Sequence, residues 1–163
     1  MAAEQLLTIG VYGFSEEAFF RTLADAGVDL FCDVRARRGL RGPEYAFANA
    51  NRLERRLAEL GINYVHLKKL APSASVREAQ HGEDARVGVG KRARTELSET
   101  FIARYRDECL SGIDAAELLR TSVGTAKRPV FFCVERLPSA CHRSLLTGEI
   151  ACQTGLSVEH LEP

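Results

Sequence analysis

Residues 6–67 constrain the fold more than any other stretch, because they read strand, helix, strand, helix, strand in succession. Residues 6–12 (LLTIGVY) are a short apolar run bounded by Gly13. A helix signal follows at once. Ser15 offers a capping hydroxyl, Glu16 and Glu17 suit the positive end of a helix, and Phe19, Phe20 and Leu23 supply an apolar face. Gly27 is a good stop. Residues 28–34 (VDLFCDV) lack strict alternation, which fits a strand covered on both faces. An arginine-rich loop occupies 35–48. Leu53, Leu57 and Leu60 then share a helical face that Gly61 ends, and 62–67 make a third strand. Such a succession predicts a parallel sheet with right-handed crossovers.

Residues 68–128 break this rhythm. The stretch 80–91 (QHGEDARVGVGK) has three glycines, several charges and no apolar period, which predicts a mobile loop. Residues 94–110 read as a helix, with Leu97, Phe101, Tyr105 and Cys109 four apart, and 115–123 as a shorter one. Pro129 opens the most apolar run, 130–134 (VFFCV), a central strand. Ser139 is placed to cap a helix over 140–153, closed by Gly155, and 156–161 form a last strand. The expected architecture is α/β: a single domain with a mostly parallel, Rossmann-like sheet flanked by helices. A helical insertion at about 68–128 is expected between strands three and four. The 163 residues suit one domain, large enough to fold without staples.

Charge and cysteine usage exclude several classes. Lys plus Arg and Asp plus Glu are both 22, so the formal net charge is zero. That excludes a general basic coat for nucleic acid and an acidic tail, and leaves room for a local basic patch. No apolar run approaches the roughly 18 residues of a membrane span. The opening MAAEQLL lacks the pattern of a signal peptide, so a cytoplasmic protein with no membrane partner is expected. Five cysteines, an odd count, do not read as a disulfide framework.

Ligands of open parallel sheets bind beyond the carboxyl ends of the strands. That rule selects Tyr12 and Gly13, then Asp33 and Arg35, then His66, and finally Glu135 with the turn to Cys141, His142 and Arg143. With Ser139 as cap, Cys141 lies in the first helical turn. Unpaired N–H groups and the helix dipole there favour an anion or a thiolate. His142 and Arg143 join it as anion-binding candidates, Arg143 with a planar fork. The plainer reading makes Cys141 a small buried residue and pairs Arg143 with Glu135. Cys133, between Phe132 and Val134, reads as core filler.

The segments Thr8-Ile9-Gly10, Asp33-Val34-Arg35, Asn63-Tyr64-Val65-His66-Leu67, Cys133-Val134-Glu135, Cys141-His142-Arg143 and Val158-Glu159-His160 occur in that order. Together they resemble the pattern of the DUF488 family, a domain of unknown function, over nearly the whole chain. The resemblance implies a compact α/β domain and carries no activity with it. Two positions depart from the pattern. Val11-Tyr12 stand where His-Ser often follows the opening motif, and Leu70-Ala71 where Leu-Gly often follows the third strand.

Other candidates have two readings each. Asp33 and Arg35 suit an acid or base beside an anion clamp, or a salt bridge. His66 suits a general base or a hydrogen-bonded rim histidine. Glu135 suits an acid of raised pKa or an arginine partner. Residues 35–56 hold seven arginines, Arg37, Arg38 and Arg41 among them, against Glu44 and Glu54, with Tyr45 and Phe47 able to stack on bases. The alternative is a solvated helix face. Gly88-Val89-Gly90-Lys91 fails as a phosphate loop, since Ala85 and Arg92 stand where Gly and Ser/Thr are needed. Cys133, Cys141 and His142 lack a standard zinc spacing, and strand-to-helix geometry is expected to splay the thiols, so no metal or cofactor is expected.

The leading expectation is an enzyme on an anionic small molecule, a nucleotide, or nucleic acid. Arg35 and Arg143 would hold phosphate, with Cys141 as nucleophile or Glu135 and Asp33 as acid and base. The alternatives are a nucleic-acid-binding module using the arginine loop, and a thiol sensor pairing Cys133 with Cys141.

Overall fold

The computed structural model describes residues 2–163. Five strands form: β1 (Leu6–Ile9), β2 (Leu30–Asp33), β3 (Asn63–His66), β4 (Pro129–Phe132) and β5 (Val158–Leu161). All neighbours pair in parallel, in the order β3-β2-β4-β1-β5. Every residue of β1, β2 and β4 is buried, which is why those sequences run apolar without alternation. Asn63, Glu159 and His160 are exposed because β3 and β5 are the edges.

Six α-helices accompany the sheet among the described residues: α1 (Glu16–Asp25), α2 (Ala50–Glu59), α3 (Ala74–Val87), α4 (Glu99–Tyr105), α5 (Ala115–Leu118) and α6 (His142–Thr154). Right-handed crossovers put α1 and α2 on one face of the sheet and α6 on the other. The Arg52–Glu16 ion pair at 2.7 Å joins α2 to α1, and α6 packs on α4 and α5. Phe19, Phe31 and Phe132 meet ring to ring beneath α1. Full burial of each such ring contributes about 1.5–3 kcal/mol.

The position of β4 creates the site. Connections from β1 and β2 leave over one face, while the connection from β4 leaves over the other. Crevices therefore open on both sides of the carboxyl end of β4. Gly10, just beyond β1, allows the closest approach there: a Cβ on it would stand 1.8 Å from the Glu135 carbonyl oxygen.

Three expected boundaries change. Residues 80–87, expected in a mobile loop, belong to helix α3, which Ser73 caps with a hydroxyl that accepts from the Val76 N–H. Its buried residues, Val76, Gln80 and Asp84, fall four apart, but two are polar, so no apolar period marks the helix. The helix expected from Arg94 begins at Glu99, where Ser98 caps it; Arg94 itself lies in the preceding loop. Finally, Cys141 is the N-cap of α6, in place of Ser139. Ser139 lies in a 3-10 turn, Pro138–Ala140, and its hydroxyl donates to the Thr95 carbonyl at 2.6 Å.

Candidate functional site

The chain leaves β4 at Phe132, turns through Pro138–Ala140, and enters α6 at Cys141. The Cys133 N–H donates to the Ile9 carbonyl at 3.3 Å, tying the start of this turn to β1. Cys141 has extended backbone, its N–H donates to the Pro138 carbonyl, and its side chain sits in a residue only 1 % exposed. The neighbouring His142 reaches across to the end of β2, where Nε2 donates to the Val34 carbonyl at 3.0 Å. That bond leaves Nδ1 facing Cys141 Sγ at 3.9 Å, and Tyr105 packs edgewise against the ring.

Burial pushes the Cys141 thiol up, but a hydrogen bond with Cys133, the Arg143 charge and His142 together bring it well below the ordinary thiol value. His142 moves the opposite way. Burial lowers it, while the Cys141 charge and hydrogen bond, Glu135 and the Val34 carbonyl raise it to a net upward shift. A thiol pushed down and an imidazole pushed up thus stand side by side at the start of a 13-residue helix, whose dipole favours negative charge on the sulfur.

Arg143 is fully buried and works as a strut. It donates to the Glu135 carbonyl at 2.6 Å, the Arg136 carbonyl at 3.2 Å and Thr8 Oγ1 at 3.4 Å, and its charge is felt at Cys141. Glu135 Oε1 stands 3.4 Å from Arg94, which also grips Asp84 of α3 through Nε and NH2.

Asp33 and Arg35 face each other. Asp33 accepts from Arg35 Nε at 2.9 Å, Arg35 NH2 at 2.7 Å, the Arg35 backbone N–H at 3.1 Å and the Tyr64 hydroxyl at 2.7 Å. Arg35 also donates to the Ala48 carbonyl and lies over the Phe132 ring at 4.7 Å. His66 Nε2 donates to the Arg35 carbonyl at 2.8 Å. Tyr12 packs on Tyr45 beneath Arg92. Arg38 is held by Glu54 and Tyr64, while Arg41 is exposed without an ion pair among the described residues.

A cavity of about 420 Å³ opens at this place, with Arg35, Arg37, Arg77, Arg94, Glu135, Cys133, Cys141 and His142 in its wall. Of the sequence candidates, Glu135, Cys141, His142, Arg35 and Arg37 thus meet; Asp33, His66, Arg143 and Tyr12 stand behind or beside it. Arg77, Arg94 and Cys133 are additions. No apolar period marks α3, which carries Arg77, and Arg94 lies before the helix expected to include it.

Cys133 is buried in the hydrophobic core, as expected, and just beyond the end of β4 it also lies in the cavity wall. The thiols, against expectation, are not splayed. Ligand atoms of Cys133, Cys141 and His142 lie within 4.8 Å of one another, the residues here able to hold a soft metal ion. The Arg143 charge beside Cys141 disfavours a further cation, and favours the thiolate pair.

A parallel α/β sheet with a buried Cys-His pair at its carboxyl rim defines the class. The family model for "Domain of unknown function DUF488" matches residues 15–150, and the chain belongs to that family. No curated protein and no solved structure gives a significant match. Among the described residues no helix is long and apolar enough to cross a membrane.

Proposed function

We propose that this protein is a small enzyme that transfers a group from an anionic substrate through a covalent adduct on Cys141. The Cys141–His142 pair carries the reading: its ring is locked by the Val34 carbonyl, and its sulfur faces a cavity with arginines in the wall. In this mechanism Cys141 Sγ attacks the electrophilic atom of the substrate. The bond to the leaving group breaks as His142 gives that group the Nδ1 proton. His142 then takes a proton from water, the water oxygen displaces Sγ, and the thiolate–imidazolium pair is restored. Arg37 and Arg77 suit a phosphate of a nucleotide or nucleic acid. Asp33 already accepts four hydrogen bonds, so acid–base chemistry by Asp33 and Glu135 has weaker support.

Iodoacetamide labelling against pH, read by peptide mass, tests this. A lowered Cys141 value places the thiolate present above that value and lost as pH falls through it. Cys141 is therefore expected to label at lower pH than Cys109, whose thiol burial pushes up. His142→Gln is expected to slow labelling below the Cys141 value by about tenfold or more, equivalent to about one pKa unit. A Cys141 that labels only at alkaline pH, or equally fast in His142→Gln, overturns the proposal.

The close approach of Cys133 supports a second reading, as a thiol sensor. A hydroperoxide would oxidise Cys141 to the sulfenic acid, and Cys133 would displace hydroxide to give a disulfide. Substoichiometric peroxide should then lower the intact mass by about 2 Da, and Cys133→Ser should instead retain added oxygen. Oxygen retained by the wild type rules this reading out.

A further inference from the structure

We infer that the substrate extends from the Cys141 cavity into an adjoining positive trough that binds consecutive phosphate groups. The inference rests on the proposed chemistry only for where the reacting end lies. A second cavity of about 470 Å³ shares Ala36, Arg37, Pro72 and Arg77 with the first, so the two abut. Three connections at the sheet's carboxyl rim deliver its cations: Arg37 follows β2, Lys68 and Lys69 follow β3, and Arg77 lies in the first turn of α3.

What sets these four apart is that they line one concavity and have no ion pair among the described residues. Of the seven arginines in residues 35–56, Arg35, Arg38, Arg52 and Arg56 pair with Asp33, Glu54, Glu16 and Glu59, whereas Arg37, Arg41 and Arg55 have no ion pair among the described residues. Arg37, Lys68, Lys69 and Arg77 have no carboxylate within 4.0 Å among the described residues, although the neighbouring Arg35 and Arg38 are paired. Arg77 NH1 donates to the Pro72 carbonyl at 2.7 Å, which holds its guanidinium along the shared wall. The one carboxylate in the trough lining, Glu108, accepts a hydrogen bond from Ser73 at 2.8 Å.

Four uncompensated cations in one concavity repel each other, in a protein whose formal net charge is zero. A bound anion relieves that repulsion. One phosphate engages two or three donors; four separate cations along a trough leading to a reactive thiol match a chain of phosphates. Inorganic polyphosphate tails and the backbone of a single strand share that chemistry.

Fluorescence anisotropy with a labelled ten-nucleotide thymidine strand, and competition by inorganic tripolyphosphate, test the trough on the full chain. Binding at low salt is expected, with a slope of log affinity against log salt near −2, as about three contacts to a single strand would give. Lys68→Glu with Lys69→Glu is expected to weaken binding at least tenfold and to flatten that slope. Arg120→Glu with Lys127→Glu makes the same charge change on surface residues outside both cavities, and should weaken binding less than threefold. Both variants should keep the wild-type melting temperature. If the strand binds but tripolyphosphate does not compete, the ligand is a phosphodiester strand; full competition makes it any phosphate chain. Absence of binding by both probes, or equal losses in the two double variants, overturns the trough. Iodoacetamide labelling of Cys141 in the same samples reports separately on the nucleophile.

Discussion

Asp33→Asn is expected to remove about 3–5 kcal/mol of stability, the usual consequence of breaking one side of a buried ion pair. Asp33 is 0 % exposed and Arg35 4 %. The carboxylate takes four donors on its two oxygens, three from Arg35 and one from Tyr64. An amide turns one of those acceptors into a donor aimed at other donors, and leaves the guanidinium uncompensated in the interior. The loss is large against the 5–15 kcal/mol typical of a whole domain. The melting temperature should fall by on the order of 10 °C. Arg35 lies over Phe132 and receives His66 on its carbonyl, so the ends of β2, β3 and β4 should loosen together. Urea unfolding within about 0.5 kcal/mol of wild type would show that the pair does not hold these strand ends.

Gly10→Ala is the second large effect, and it links stability to the candidate chemistry. The added methyl would meet the Glu135 carbonyl oxygen at 1.8 Å, a backbone atom that cannot swing away as a side chain would. Overpacking commonly costs about 1–3 kcal/mol, and an overlap this severe belongs at or beyond the upper end. The same carbonyl accepts the 2.6 Å bond from Arg143, whose charge helps to lower Cys141. Pushing the β4 turn away from β1 therefore separates Arg143 from its acceptor. The variant should melt lower, and its Cys141 should label at higher pH than in the wild type. Unchanged melting and labelling in Gly10→Ala would contradict the close approach of β1 and the β4 turn.

The first half of the sheet was legible because its signals are local. Ser15, the two glutamates and three apolar residues mark α1 without reference to the rest of the chain. The carboxyl-end rule applied to the expected strands also selects Glu135, Cys141 and His142, which share one cavity wall. What failed depended on partners far away in sequence. α3 buries Gln80 and Asp84 because Arg94 and the Ser98 N–H satisfy them, and polar burial of that kind leaves no hydrophobic period to read. Cys133 is core, as its apolar flanks imply, but the flanks do not show its neighbour. Its sulfur is near Cys141 only because the 3-10 turn brings α6 back over the end of β4. Of the arginines crowded in residues 35–56, Arg38, Arg52 and Arg56 meet carboxylates on α1 and α2, while Arg37 shares a cavity wall with cations distant in sequence.

The order of the strands has a consequence for how this chain acquires its shape. β1 pairs only with β4 and β5, both of which lie after residue 128. During synthesis β2 and β3 can join early, but the first strand must wait, unpaired, for most of the polypeptide to emerge. Ring closure over such sequence distances makes assembly slow. The rim around Cys141 is consequently among the last regions to be completed, and a chain terminated before β4 would present a naked apolar edge to its neighbours.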